Sequence, residues 1–304
     1  MRVFPKKMVG LHVATSLTLV GGGFALAAMK GASSLIYAAI AFGGVVFFLF
    51  SMRKYFRRAA LTRKPMREEW QELLAARIPF YAKLEGEAKK RFENDVRFFA
   101  SEQNIYGPRG EPVSDEDRLL VAASAAILGH GLPGWEWPTM RDIVVYKKAF
   151  NDQYEEGDDE SIAGMVHSQG PIIFSENHLK HGFQRSHDGF NVGLHELAHV
   201  MDMADGAADG VPAGMDWMAT APWVEVMARH MKKKSRRGKR EVLDDYSKTN
   251  EAEFFAVAVE TFFEKPKIMK RKEPKLYELL CDYFGQDPLS EGGEARRRTH
   301  SKKK

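Results

Sequence analysis

Two long uncharged apolar segments near the start of the chain constrain its fold more than any other feature. Residues 9–29 and 33–52 carry no formal charge, and residues 1–67 contain no Asp or Glu. Each segment is long enough to cross the roughly 30 Å hydrocarbon core of a membrane as an α-helix. Residues 30–32 leave room only for a tight turn between them. The sequence therefore predicts a two-helix transmembrane hairpin over residues 1–60.

Two other interpretations of these segments remain open. The first segment could be a cleaved signal peptide, since the small residues Gly31–Ser34 resemble a cleavage site. The second could be a buried core helix of a soluble domain. Glycines at 21–23 and 43–44 favour the hairpin, because small residues allow two membrane helices to approach closely.

Basic residues predict the orientation of the hairpin. Three basic residues precede the first segment, seven follow the second within residues 53–67, and only Lys30 lies between the segments. Cytoplasmic segments of membrane proteins carry an excess of Lys and Arg. The basic residues of this chain therefore predict that both ends of the hairpin lie in the cytoplasm. We expect the chain to contact the bilayer of the inner (cytoplasmic) membrane through residues 9–52, with both termini and the remaining domain on the cytoplasmic side.

The charge of the remaining chain argues against direct nucleic-acid binding. Residues 68–289 contain 28 basic and 39 acidic residues, although the whole chain has a formal charge of +4. Nucleic-acid-binding domains are usually basic. The basic run at 232–240 is the exception, and an exposed loop or helix end explains it more simply. The single cysteine, Cys281, excludes a disulfide framework and fits a reducing cytoplasm.

The segment His195-Glu196-Leu197-Ala198-His199 is an H-E-x-x-H motif in a predicted helix. Positions i and i+4 share one helix face, so the two imidazoles can bind one Zn²⁺ while Glu196 acts as general base. Asp202 follows on the same face and could accept the other ring N–H of a ligand histidine. The alternative is a surface helix with two unrelated histidines. The apolar character of the surrounding helix argues against it, as shown by Leu194, Leu197, Ala198, Val200 and Met201.

A second predicted helix, over residues 246–263, supplies candidates for a third ligand. Glu253 and Glu260 are seven residues apart and share one face, and all the residues between them are apolar. A buried carboxylate is costly unless it is paired or binds a metal. Stabilisation by the helix dipole is the alternative, and it explains Glu251 well and Glu260 poorly. We expect Glu260, like Asp202, to orient a ligand histidine.

Short β-branched segments predict a small sheet before the H-E-x-x-H helix. Strands are predicted at 142–146, 165–168 and 170–175. Pro171 suits an edge strand, and an edge strand beside the metal could pair with the backbone of a substrate. The candidate substrate-binding residues are therefore Ile172, Ile173 and Phe174. A purely structural role for this strand is an equal alternative.

Other local signals predict a largely helical body. Residues 68–76 and 84–99 have the periodicity of amphipathic helices. Ser114 with Asp117 is predicted to begin a further helix in the manner of a capping box. The segment 178–187, with its three histidines, is predicted to be a loop outside the site.

Three longer segments together resemble a known family. They are GPIIFS at 170–175, DGFNVGLHELAHVMDMADG at 188–206 followed by GVP at 210–212, and YSKTNEAEFFAVAVETFF at 246–263. Over roughly residues 70–288 the chain resembles the Mlc titration factor A family of zinc-dependent peptidases, which share a catalytic fold with anthrax lethal factor. The two apolar segments lie outside this resemblance.

The resemblance implies roles for individual residues and a class of function. It implies zinc ligation by His195, His199 and Glu253, general-base catalysis by Glu196, and oxyanion stabilisation by Tyr246. The implied activity is hydrolysis of a peptide or protein substrate. Capture of a transcriptional repressor is the alternative that the same family implies, with peptidase activity secondary or absent. A membrane-bound scaffold with an inactive site is a third alternative.

Taken together, these patterns predict an α+β protein with three parts. A two-helix transmembrane anchor occupies residues 1–60. A mainly helical, zincin-like metallopeptidase domain with a small sheet occupies residues 61–289. A disordered basic tail occupies residues 290–304, because this segment is polar and rich in Lys and Arg.

Overall fold

The computed structural model divides the chain into two compact units, Met1–Pro65 and Met66–Lys304. The residues that it describes are 1–132, 134–138, 142–151, 162–166, 170–185, 188–232, 242–243 and 245–290. The predicted basic run 232–240 and basic tail 290–304 lie outside these ranges except for Lys232 and Ser290.

The first unit consists of two long helices, α1 (Lys6–Met29) and α2 (Ser34–Thr62). By length and composition, Met8–Met29 and Ser34–Thr62 are candidate membrane spans. Only 6% of each apolar window is buried within the chain, which argues against the alternative of a core helix. Most of the apolar side chains of these windows are instead exposed.

Glycines permit close contact between α1 and α2, as the sequence predicts. A Cβ atom on Gly44 would collide with the side chain of Val20. A Cβ atom on Gly23 would lie 2.9 Å from Ile40 Cγ2. Small residues at these two positions therefore allow the two helices to pack against each other.

The second unit is mainly helical. Its helices are α3 (Glu68–Arg77), α4 (Pro79–Ala82), α5 (Gly86–Glu102), α6 (Asp115–Gly129), α7 (Glu176–Gln184), α8 (Val192–Asp202), α9 (Trp217–Met231), α10 (Glu251–Glu264), α11 (Pro266–Lys272) and α12 (Pro274–Phe284). Short 3₁₀ turns lie at Pro108–Gly110, Met203–Asp205 and Asp245–Lys248.

One small mixed sheet accompanies the helices. Its strands are β1 (Ile105–Tyr106), β2 (Ile143–Tyr146), β3 (Gly164–Val166) and β4 (Ile172–Ser175), in the order β1-β2-β4-β3. The pairs β1–β2 and β2–β4 are parallel, and β3 is antiparallel to β4. The fold is thus the predicted α+β architecture with a small sheet, although the two-residue strand β1 was not expected. His167 and Ser168, predicted to end β3, lie outside the described residues.

Apolar faces of the helices form the core as their spacing predicts. In α5, Phe92, Val96 and Phe99 are all fully buried. Helix α6 packs against α5 and α8, and its residues Leu119–Gly129 are buried. Ser114 caps α6, with its hydroxyl oxygen accepting a hydrogen bond from the backbone N–H of Asp117 at 3.1 Å.

The predicted loop at 178–187 is largely wrong, because helix α7 begins directly after β4. His178 lies in the first turn of this helix and His181 in the second. His178 Nδ1 is 3.0 Å from Ser175 Oγ, and His181 Nε2 is 3.1 Å from Asp188 Oδ2. His187 lies outside the described residues.

Candidate metal centre and catalytic cleft

Helix α8 fixes the position of the H-E-x-x-H motif. Its apolar residues, including Leu194 and Leu197, are buried, as the sequence predicts. Asn191 caps the helix by accepting a hydrogen bond from Leu194 N at 3.2 Å. The Asn191 backbone N–H also donates to Glu260 Oε1 at 2.8 Å, which ties the start of α8 to α10.

Helix α10 brings a carboxylate to the two motif histidines. Asn250 caps this helix by accepting a hydrogen bond from Glu253 N at 2.9 Å. Glu253 Oε2 then lies 3.1 Å from His195 Nε2 and 3.5 Å from His199 Nε2. The two imidazole Nε2 atoms are 3.2 Å apart. Three potential ligand atoms therefore form a compact triangle.

This triangle has the dimensions that a zinc ion requires. Tetrahedral zinc with bonds of about 2.0–2.1 Å separates neighbouring ligand atoms by about 3.3–3.5 Å. The observed separations are 3.1, 3.2 and 3.5 Å. Two imidazole nitrogens and one carboxylate oxygen are also a donor set typical of catalytic zinc, which keeps a fourth position open. The residues present fit a zinc ion.

Glu260 supports His195 from the opposite side of the ring. His195 Nδ1 donates a hydrogen bond to Glu260 Oε2 at 3.0 Å, which directs Nε2 toward Glu253 and His199. Burial lowers the pKa of His195, but the adjacent Glu260 and Glu253 carboxylates outweigh burial and raise it well above its usual value. Burial likewise raises the pKa of Glu253, and hydrogen bonds from both histidines overcome this and hold it at about 2.

Asp202 is hydrogen-bonded to the loop that contains Gly210. Its buried carboxylate accepts a hydrogen bond from Gly210 N at 3.1 Å through Oδ2. No hydrogen bond joins it to His195 or His199 in the described part of the chain, and its Oδ1 has no hydrogen-bond partner there. Burial raises the pKa of Asp202 to about 6. The nearby His199 lowers this pKa slightly, so Asp202 is close to a candidate ligand, and its role in orienting a ligand histidine stays a prediction.

Glu196 lies beside the triangle and next to the sheet. Its side chain is only 6% exposed, and burial raises its pKa to about 8. A Cβ atom on Gly164 of β3 would lie 2.6 Å from Glu196 Oε1, so this position of the strand requires glycine. Both residues line a cleft of about 660 Å³ together with His195 and Tyr246. This volume is within the range of small-ligand sites.

The expectation that β4 is an edge strand is wrong. It pairs with β2 on one side and β3 on the other, and all four of its residues are buried. The backbone of Ile172, Ile173 and Phe174 therefore cannot pair with an added strand. The outer strand on this side of the sheet is β3, which contacts Glu196 through Gly164.

Tyr246 lies on its own 3₁₀ turn rather than within α10. The predicted helix over 246–263 is interrupted because Asn250 caps α10, so the helix begins at Glu251. The Tyr246 hydroxyl donates a hydrogen bond to Glu253 Oε1 at 3.3 Å, while its side chain remains accessible. Burial and then the nearby Glu253 charge raise the pKa of Tyr246, so its hydroxyl keeps its proton.

The neighbouring residue anchors this turn. Ser247 is fully buried, and its Oγ lies 2.8 Å from His230 Nε2 on α9. The sequence-based prediction missed the two capping asparagines, Asn191 and Asn250, and the strand glycine Gly164. Asn located three residues before a buried helix position is the signal that could have identified both caps.

The site has the features of a metallopeptidase domain: two histidines on one helix, a carboxylate from a second helix and an adjoining cleft. The chain belongs to the glucose-regulated metallo-peptidase M90 family, whose profile matches residues 52–285.

Similarity to individual proteins extends over most of the chain. The chain is 32% identical over 245 residues to the Synechocystis protein slr2042, and the match covers 77% of this chain and 89% of that protein. The chain is 28% identical over 242 residues to Mlc titration factor A of Cronobacter sakazakii, and the match covers 72% of this chain and 86% of that protein. The chain is 26% identical over 261 residues to Mlc titration factor A of Yersinia enterocolitica, and the match covers 79% of this chain and 93% of that protein. The resemblance predicted from the sequence is therefore confirmed.

Removal of one candidate ligand should release the metal. We expect the full-length protein to bind about one zinc per chain and His199→Ala to lose it on buffer exchange. The affinity for zinc should fall by more than roughly 10–100-fold, which is the usual effect of losing a hydrogen bond that supports a ligand. Metal content measured by inductively coupled plasma mass spectrometry tests this. His181→Ala is the matched control, because His181 pairs with Asp188 outside the triangle. Full zinc content in His199→Ala would refute the ligand assignment.

Proposed function

We propose that this protein is a membrane-tethered, zinc-dependent peptidase. The observation that carries the proposal is the convergence of His195 Nε2, His199 Nε2 and a Glu253 oxygen within 3.5 Å of one another, beside the buried Glu196. Zinc bound by these three residues would polarise a peptide carbonyl and lower the pKa of an attacking water.

Glu196 is the proposed general base. It accepts a proton from the attacking water and then delivers that proton to the leaving amine. A proton carrier is most efficient when its pKa is near the working pH, and the burial of Glu196 raises its pKa to about 8. His195 is held for its role as ligand by its hydrogen bond to Glu260.

Tyr246 is the proposed donor to the oxyanion. As the carbonyl oxygen gains negative charge, the Tyr246 hydroxyl exchanges its 3.3 Å hydrogen bond to Glu253 for one to that oxygen. Its separate 3₁₀ turn, anchored by Ser247 and His230, holds the ring while leaving the hydroxyl at the cleft.

The proposed substrate strand pairs with β3 rather than β4. An extended peptide can add to an exposed strand edge by backbone hydrogen bonds. Gly164 of β3 contacts Glu196, so a peptide along this strand would pass the general base. The absence of a side chain at Gly164 lets Glu196 lie directly against this strand.

Capture of a protein partner is the second candidate function. Two relatives carry the name Mlc titration factor A, which favours binding of a transcriptional repressor by this chain as well. The two functions separate experimentally, because a capture function would survive Glu196→Gln whereas peptide hydrolysis would not. Neither function requires direct contact with nucleic acid.

Substitution of the general base should abolish turnover without loss of metal. We expect Glu196→Gln to lower kcat by about 10²- to 10⁴-fold, the usual contribution of general-base catalysis. Cleavage of a synthetic peptide library by the full-length protein, followed by mass spectrometry, provides the measurement. Glu225→Gln is the control, since Glu225 is a surface residue paired with Lys275. Equal cleavage by Glu196→Gln and the parent would contradict the mechanism.

Loss of the Tyr246 hydroxyl should affect the transition state more than substrate binding. We expect Tyr246→Phe to lower kcat by about 10²- to 10³-fold while zinc content and KM stay nearly constant. Steady-state kinetics on a cleaved library peptide measure both constants. Tyr106→Phe, which alters a tyrosine bonded to Asp142 away from the cleft, should leave kcat unchanged. A decrease of less than about threefold for Tyr246→Phe would exclude the proposed role.

The proposed location is the inner membrane, with both termini and the catalytic unit in the cytoplasm. A cysteine at Ser33, between α1 and α2, should react with a membrane-impermeant maleimide added to intact spheroplasts. A cysteine at the exposed Lys83 should react only after lysis. The native Cys281 is buried and provides the background control. The opposite labelling pattern would show that the orientation is reversed.

A further inference from the structure

The side chain of one lysine, Lys265, lines the cleft beside the candidate metal centre. Lys265 directly follows α10 and lines the same cleft as His195, Glu196 and Tyr246. No ion pair or hydrogen bond of its Nζ atom is found in the described part of the chain. We propose that Lys265 binds a carboxylate group of the peptide substrate. This inference rests on the proposed peptidase function and specifies the class of substrate.

The Lys265 side chain lies next to the backbone of Gly189. The end of the side chain lies against Gly189, where an added Cβ atom would collide with Lys265 Nζ and would lie 2.7 Å from Cε and 3.1 Å from Cδ. Gly189 also has a φ of +86°, which favours glycine. The Lys265 backbone N–H donates to Thr261 O at 2.8 Å. The conformation of Gly189 therefore favours glycine, and the Lys265 side chain lies directly against it at the cleft.

Two of the three carboxylates that line the cleft, those of Asp188 and Glu260, already have other partners. Asp188 accepts hydrogen bonds from Phe190 N at 2.9 Å and contacts His181 Nε2 at 3.1 Å. Glu260 accepts from His195 and from the backbone of Asn191. The third, Glu196, forms no ion pair with Lys265 among the described residues, so the ammonium group of Lys265 is available to a ligand.

A carboxylate is the group that matches this arrangement. An ammonium group offers three N–H donors and a compact positive charge, and it forms charge-assisted hydrogen bonds with carboxylate oxygens. Such an interaction in a partly enclosed cleft changes affinity by roughly tenfold or more. Two parts of a peptide carry this group: the free C-terminus, and the side chain of an acidic residue.

Peptide binding without turnover distinguishes these sources. The protein is the zinc-loaded full-length chain carrying Glu196→Gln, in detergent micelles. Three fluorescent peptides of one core sequence are compared by anisotropy: one with a free C-terminus and no acidic residue, one amidated and neutral, and one amidated with an internal glutamate. We expect at least one carboxylate peptide to bind about tenfold more tightly than the neutral peptide.

Substitutions of Lys265 test the contact directly. In the Glu196→Gln protein, Lys265→Gln should reduce the ratio of the affinities for the carboxylate and neutral peptides to about one. Lys265→Arg should retain the preference for carboxylate. Lys265→Glu should favour the neutral peptide. The matched control is Lys267→Gln, because Lys267 is exposed on the adjoining α11 and does not line the cleft.

The outcomes separate this inference from the proposed function. Preference for the free C-terminus or for the internal glutamate supports the inference and identifies the source of the carboxylate. Equal binding of all three peptides, or a preference that survives Lys265→Gln, overturns the role of Lys265 while peptide recognition stands. No binding of any peptide overturns both this inference and the proposed function.

Discussion

The packing of α8 against α10 is the constraint on which the site depends. His195 lies between two carboxylates of α10, with Nδ1 3.0 Å from Glu260 and Nε2 3.1 Å from Glu253. Seven residues of α-helix rise about 10 Å, and the imidazole with its two contacts spans most of that distance. A shift of either helix by one turn would therefore break both contacts at once. The backbone hydrogen bond from Asn191 to Glu260 opposes such a shift.

This arrangement stabilises a set of polar groups that would otherwise be costly to bury. Glu196 and Glu260 are 6% and 5% exposed, and isolated buried carboxylates are strongly unfavourable. Glu260 is satisfied by His195 and by a backbone N–H, whereas Glu196 keeps a raised pKa and remains able to exchange a proton. The difference in environment between two glutamates of one site fits their different proposed roles.

The periodic features of the site could be predicted from the sequence because they are local. The i, i+4 spacing of His195 and His199 and the seven-residue spacing of Glu253 and Glu260 each follow from helix geometry. The sequence also predicted the buried face of α5 and the Ser114 cap.

Features that depend on pairing between distant segments could not be predicted in this way. The position of β4 inside the sheet is set by its contacts with β2 and β3, which leave no local pattern that distinguishes it from an edge strand. The hydrogen bond from Gly210 N to Asp202 joins residues of a loop and a helix, and the helical spacing of Asp202 gives no sign of it. Glu260 provides the contact to His195 from another helix, as its own spacing indicated.

The most direct test of the central claim is a crystal structure of the zinc-loaded full-length protein, with diffraction data collected at the zinc absorption edge. The account predicts a single anomalous peak about 2.0–2.2 Å from His195 Nε2, His199 Nε2 and a Glu253 oxygen, with no fourth protein ligand. A peak at another site, or a fourth side chain that completes the coordination of the ion, would contradict it.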